Sequence, residues 1–449
     1  MTSRRRLSFV APAAYTRGGM QVWLADLVAS LSSSPEWLID VALTSGVHHD
    51  HLAYQQAYPH LPITPLFNPT GSAEGRPRAI NTYLIRQQPE LVIGVNIADL
   101  YPAVRRARCQ GFKGKVALSL HAIDGDLLAD CCAQADLLDA VIATNQLSCR
   151  LAGRHDVMPA SRVFYAPYGV SISSLPSAPP APPPLRIAWV GRLEQPQKRV
   201  HDLPAILHHL DQIGVSFELT IAGGGPEAAP LGRALAPWIQ SGKVFMVGAL
   251  SGAQLASQVY ASHHVLLITS SWETGPIVAW EAMAAGLVVV SSAYVGCGRE
   301  TALLEGRTAL LFPVGDAAAA AAALERTRNV DTFSALRVFG HQMVARRYST
   351  DASRQAWLSA FEQVLALPDL PMPAPEAALP PSGRLERLLG AGPAESLRRR
   401  LWVRFQHTSP GGEWPHTAHG GTDEEAFLRQ AAQVDALDPV AQRSEPTPP

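Results

Sequence analysis

Two doubly wound α/β domains in tandem are what this 449-residue sequence predicts. Three observations carry the expectation. Short apolar strands alternate with helical patterns from residue 7 onward; the alternation breaks at a proline-rich stretch and then restarts; and late in the second series a strand runs into a helix flanked by two carboxylates.

In the first series the strands are read at Leu7–Val10, Asp40–Thr44, Leu91–Val95, Val116–Leu120, Ala140–Ala143 and Val163–Ala166, with helical patterns such as Gln21–Leu31 and Ala79–Gln87 between them. Residues 1–174 form this domain. The run Leu175-Pro-Ser-Ala-Pro-Pro-Ala-Pro-Pro-Pro184 cannot enter a helix or sheet interior, so 175–184 is a connector. The second series, 185–345, has strands at Arg186–Val190, Glu218–Ala222, Lys243–Phe245, Val265–Ile268, Val288–Val290 and Ala309–Phe312. From 368 to 449 the chain is rich in Pro, Gly and polar residues, and only Arg384–Leu389 and Glu395–Phe405 keep a helical periodicity, which predicts a largely disordered tail.

Charge balance excludes global arguments. Thirty-seven basic and 38 acidic residues leave a formal charge of −1, which gives no footprint for nucleic acid. The five cysteines show no metal-binding spacing and make a poor disulfide framework, so a cytoplasmic setting is expected. Arg4-Arg5-Arg6 before Leu7 imitates a signal peptide, but the apolar run meets Pro12, and it is read as the first strand. No apolar stretch reaches the roughly 20 residues that cross a bilayer, so a soluble or peripheral protein is expected.

The chemistry concentrates in Ser271-Trp-Glu-Thr-Gly-Pro-Ile-Val-Ala-Trp-Glu-Ala-Met-Ala-Ala-Gly286. Glu273 falls in the loop after a buried strand, Gly275-Pro276-Ile277 open a helix, Glu281 projects from it, and Gly286 stops it. A helix N-terminus in that position offers backbone N–H groups and a positive dipole end to a diphosphate, and leaves the carboxylates to accept from hydroxyls. Upstream, Gly191-Arg192-Leu193 comes after a strand and Lys198 approaches the next helix, so a guanidinium fork and a mobile ammonium can reach one anion. Gly18-Gly19 after the first strand and Gly223-Gly224-Gly225 after another add loops that let a phosphate approach backbone, or that are merely tight turns.

In order along the chain, Gly18-Gly19, Gly191-Arg192-Leu193 with Lys198, Ala222-Gly-Gly-Gly-Pro-Glu227, Glu273 to Gly286 and Gly306 to Asp316 resemble the signature of glycosyltransferase family four over roughly residues 7–366. The resemblance implies the GT-B fold, two Rossmann-like domains facing across a cleft, and a retaining transfer from a nucleotide-sugar donor without an essential metal. It assigns Arg192 and Lys198 to the donor diphosphate, Glu273 to the sugar hydroxyls, Glu281 to the ribose, and the amides around Gly275, Pro276 and Ile277, with Gly224, to the rest of the donor pocket. His121, after the strand Val116–Leu120, resembles the histidine that approaches the donor sugar from the first domain. Residues 346–367 resemble the terminal helix that crosses back to that domain. The implied acceptor is a glycan, lipid-linked or small molecule.

Four positions depart from the pattern: Arg199 where glycine is usual, Tyr168 for asparagine, Val288 for proline, and Cys297 beside Gly296. Asp124-Gly-Asp126 matches the D-x-D pair of metal-dependent transferases, and equally the cap of a helix at Leu127–Ala133. An epimerase or phosphorylase of the same architecture, and a non-catalytic binding subunit, are the rival readings. The tail segment Glu395–Phe405 mixes four arginines with Leu397, Leu401, Trp402 and Phe405, which fits an anionic membrane surface, a helix packed on the body, or one used for dimer contacts.

Overall fold

The computed structural model describes residues 4–13, 19–32, 34–44, 50–154, 156–175, 184–374, 383–404 and 417–436. The chain divides into two compact units, one of residues 1–144, 148–166 and 354–427, the other of 145–147, 167–353 and 428–449. Residues 167–174 therefore count with the second unit, ahead of the proline run.

The first unit holds a seven-stranded parallel sheet: β1 (Arg5–Ala11), β2 (Trp37–Thr44), β3 (Ile63–Leu66), β4 (Leu91–Val95), β5 (Lys115–Leu120), β6 (Ala140–Ala143) and β7 (Val163–Tyr165), in the order 3-2-1-4-5-6-7. Central strands such as Leu91–Val95 are apolar throughout because helices cover both faces of such a sheet. Strand β3 escaped the sequence reading. It is four residues long and contains Pro65, which lacks the ladder donor and is tolerated because β3 pairs on one side only.

The second unit repeats the plan with six parallel strands, β8 (Leu185–Val190), β9 (Phe217–Ala222), β10 (Val244–Gly248), β11 (Val265–Ile268), β12 (Val288–Ser292) and β13 (Ala309–Phe312), in the order 10-9-8-11-12-13. All six lie where the apolar runs place them. Two apolar layers pack its faces, one around Ile187, Leu219, Leu267 and Val290, the other around Leu266, Val289, Trp280 and Met283.

The helix Thr350–Leu365 divides between the units at Ser353 and Arg354. Before the change Val170 N–H donates to Tyr348 O and Thr350 N–H to Val170 O. After it, Trp357 and Phe361 are fully buried against Trp23, Phe9 and Trp37. Burying a side chain such as Phe361 contributes roughly 1.5–3 kcal/mol, enough to fix the return.

Among the described residues beyond 368 there are three helices. Helices Arg384–Leu389 and Ala391–Leu401 correspond to the two periodic segments, although the second starts four residues early. The helix Glu424–Asp435 was not anticipated, its apolar residues being too few to show a stripe.

Candidate active site

Four loops at the carboxyl ends of β8, β9, β11 and β12 build the site in the second unit. After β8 the chain turns at Gly191 and descends to Lys198. Its backbone is sewn to the loop after β11: Thr269 Oγ1 accepts from Trp189 Nε1 (3.1 Å) and donates to Lys198 O (2.7 Å), and Ser271 N–H donates to Gln197 O (2.7 Å). The loop after β12 closes the other flank, with Ser292 Oγ donating to Ser270 O (2.6 Å) and Glu273 N–H to Val295 O (3.0 Å). These bonds leave little freedom in where Lys198 and Glu273 emerge.

The glycine loop after β9 is a packing device. A Cβ on Gly223 would sit 1.8 Å from Gly191 O, and one on Gly225 2.4 Å from Leu193 O, both at positive φ. Gly224 between them faces open space. The first and third glycines thus serve the approach of two loops, and only the middle position is left to a ligand.

The central pair is Lys198 and Glu273, with Nζ 2.5 Å from Oε1 and the carboxylate side chain only 7% exposed. Ser270 Oγ donates to the same oxygen (2.6 Å), and Gln197 Nε2 reaches the other at 3.4 Å. Just beyond, Gly275 takes φ +92° and Pro276 enters the helix Ile277–Ala284, whose first turn has no side-chain cap. Its leading amides point from the positive dipole end, which suits phosphate oxygens. Glu281 lies one turn inside and accepts from Tyr260 Oη at 2.9 Å. Arg192 is exposed and paired with Glu194 at 2.9 Å. Arg192, Lys198, Gly224, Gly275, Pro276, Ile277, Glu273 and Glu281 thus belong to one unit and to adjoining loops or the helix they open.

The remaining candidates lie in the first unit. Gly18 falls outside the described residues, and Gly19 begins the helix Gly19–Leu31. His121 comes just after β5, buried, with its ring 4.2 Å from Trp23. Ser119 Oγ donates to Gly94 O (3.0 Å), so it accepts from His121 Nε2 (2.9 Å), which fixes the Nε2–H tautomer. Burial pushes the imidazole pKa down to about 3. Asp124 caps the helix Gly125–Ala133 through Leu127 N–H (3.0 Å), and Asp126 accepts from Thr422 N–H (3.1 Å), so the D-x-D residues serve as a cap and a tail anchor.

Arg199 explains its own departure from glycine. It takes φ +50°, ψ +45°, and holds that left-handed conformation while its Nε and Nη2 donate to the Asp202 carboxylate at 2.8 and 2.9 Å. Other participants were missed in the sequence. Ser270, Gln197, Thr269 and Tyr260 orient the charged groups, but three polar loop residues and one tyrosine at a helix end carry no distinguishing pattern. Asp435 accepts from the amides of Gly296 (2.8 Å), Gly298 (3.1 Å) and Arg299 (2.9 Å), 136 residues or more away in the chain. In the first unit Asn96, just after β4, is 1% exposed at φ +45°, and neither amide atom of its side chain has a hydrogen-bond partner. Its position at a strand's carboxyl end was the available signal.

Residues 184–329 match the family of group 1 glycosyl transferases. No curated protein matches the chain. Among solved structures, the lipopolysaccharide outer core galactosyltransferase WaaB is 19% identical, with a TM-score of 0.64 over 80% of this chain and 99% of that one. HepE from Anabaena, solved with UDP and glucose, is 16% identical at TM-score 0.65, covering 80% and 100%. Sucrose-phosphate synthase from Thermosynechococcus elongatus is 19% identical at 0.64, covering 81% and 100%. The fold is GT-B.

Proposed function

We propose that the chain is a retaining glycosyltransferase that moves a hexose from a nucleotide-diphosphate sugar to a hydroxyl of a glycan, lipid-linked or small-molecule acceptor, with no essential metal. The observation that carries the reading is the Lys198–Glu273 pair, 2.5 Å apart beside an uncapped helix N-terminus. The family match over the same domain, and the UDP bound in similar structures, support it.

In this reading the diphosphate lies on the amides of Gly275 to Ile277, with Lys198 and Arg192 against its oxygens. Glu273 accepts from sugar hydroxyls and Glu281 from the ribose. As the C1–O bond lengthens, its electron pair passes to the departing diphosphate. The acceptor oxygen bonds to C1 on the same face, and the acceptor proton leaves to the diphosphate. Leaving-group charge is what the site must stabilise, and two cations with a helix N-terminus supply that without a metal. The role of His121 toward the donor sugar is part of the proposal, supported by its place at the end of β5.

A thermal-shift screen against UDP, GDP, ADP, TDP and their sugars tests the reading, since a ligand of the folded state raises apparent stability. The expected result is a shift with one nucleotide series, then transfer in EDTA with the donor's anomeric configuration kept in the product. No shift with any nucleotide would leave a non-catalytic subunit; free epimerised sugar nucleotide, or a sugar phosphate, would move the assignment to the rival enzymes.

A further inference from the structure

The tail helices are built inside out. In Ala391–Leu401 the residues turned toward the first unit are Ala394, Glu395 and Arg398, whereas Leu397 and Leu401 face solvent, 38% and 61% exposed. Glu395 is fully buried and accepts from Thr70 Oγ1 (2.8 Å), Ser72 Oγ (2.5 Å) and Arg399 Nε (2.8 Å). Arg398 is paired with the buried Glu386 of the preceding helix at 2.6 Å. Arg78 adds a bond to Gly392 O (2.7 Å) and another to Ser396 (3.1 Å). A surface helix ordinarily buries its apolar stripe. Here polar anchoring holds the helix while its apolar side is left outward.

The exposed residues of the preceding helix and those after Leu401 share this character. Leu388 is 80% exposed, Trp402 83% and Val403 51%. Arg384, Arg387, Arg400 and Arg404 are exposed among them. The segment 383–404 contains two acids, Glu386 and Glu395, and both are buried and paired. The exposed charges of this segment are therefore all positive. Leucines and a tryptophan interleaved with arginines make a surface that inserts apolar groups at a headgroup boundary while its cations meet anionic lipid.

We propose that the face formed by Arg384–Leu389 and Leu397–Arg404 docks the protein on an anionic lipid bilayer. The proposal stands apart from the donor-site reading, since its residues take no part in that site. Charge complementarity selects the partner: four arginines without an exposed carboxylate repel a second copy of the same face and attract phosphatidylglycerol-like headgroups. Trp402, beside the end of the helix, is placed as an interfacial anchor.

The experiment is flotation of the full-length chain with vesicles of phosphatidylcholine alone and of phosphatidylcholine mixed with phosphatidylglycerol. Binding is expected only to the mixed vesicles, and is lost near 1 M salt, where the Debye length is about 3 Å. Each arginine near such a surface is worth on the order of fivefold, so Arg400→Gln with Arg404→Gln should weaken partition by about 25-fold. Trp402→Ser should weaken it as well. These side chains are exposed, so melting temperature and nucleotide binding should not change and serve as the folding control. No flotation with phosphatidylglycerol, or flotation unchanged in both variants, overturns the proposal. So does a dimer, seen by light scattering, that Leu401→Ser and Trp402→Ser abolish while flotation is absent, because the face would then belong to a protein partner.

Discussion

Replacing Lys198 with alanine removes the ammonium that lies 2.5 Å from Glu273 and leaves a carboxylate with 7% exposure to find other support. Ser270 still donates at 2.6 Å and Gln197 at 3.4 Å, so the charge keeps two neutral donors and loses its counter-ion. Breaking a buried pair from one side costs about 3–5 kcal/mol, and since the lysine side chain is 19% exposed, water can enter its place and the lower end, about 3 kcal/mol, is expected. For a unit of this size each kcal/mol lowers Tm by about 2–4 °C. Under the proposed function the same ammonium would face the charge that grows on the leaving diphosphate, so catalysis should fall further than stability does and kcat is expected to drop by about 10²–10³. The assay is nucleotide release with the donor found in the thermal screen, at a temperature where the variant is folded. Glu273→Gln, alone and combined with Lys198→Ala, separates the two roles: if Lys198 serves only to neutralise Glu273, the double variant recovers stability and loses no more activity than Glu273→Gln. Full turnover in folded Lys198→Ala would refute the reasoning outright.

Local geometry yields three further expected outcomes. Glu281→Ala should weaken nucleotide binding by roughly tenfold to a hundredfold, the worth of a hydrogen bond to a charged group, while Tyr260→Phe changes it only a few-fold; calorimetric titration that finds Glu281→Ala binding normally removes the ribose assignment. Arg199→Ala keeps the left-handed backbone but loses the Asp202 pair, and should cost about 1–2 kcal/mol in urea unfolding, whereas Arg199→Gly relieves the conformation and should lie within about 1 kcal/mol of the parent; the reverse order would contradict the backbone argument. His121, whose pKa burial holds near 3, is neutral in the folded protein, but its unfolded counterpart takes a proton below about 6.5. The unfolded state thus binds more protons between those values, and stability falls with pH by about 1.4 kcal/mol per unit from this residue. Between pH 7 and 5 the parent should lose about 2 kcal/mol more than His121→Gln, and equal slopes would show that the imidazole is not desolvated.

The sequence by itself determined most of the architecture and the charged centre of the candidate site. Parallel strands covered on both faces must be apolar at nearly every position, so runs such as Val265–Ile268 are visible without a structure, and the loop after each run lies at the strand's carboxyl end. That is why Lys198, Glu273, Glu281 and the opening of the helix at Ile277 were legible together. Strand β3 was hidden because an edge tolerates Pro65. Only the tertiary structure decided which glycines serve packing, since Gly223 and Gly225 are distinguished from Gly224 by backbone atoms of another loop. It alone brought Ser270 and Gln197 to Glu273 and Asp435 to the amides after β12, and it alone showed the tail helix turning Glu395 inward and Leu401 outward. Local periodicity encodes how amphipathic a helix is, not which side meets the body. That choice was made by Thr70, Ser72 and Arg78, more than 300 residues earlier in the chain, through bonds that exist only once the first unit has folded.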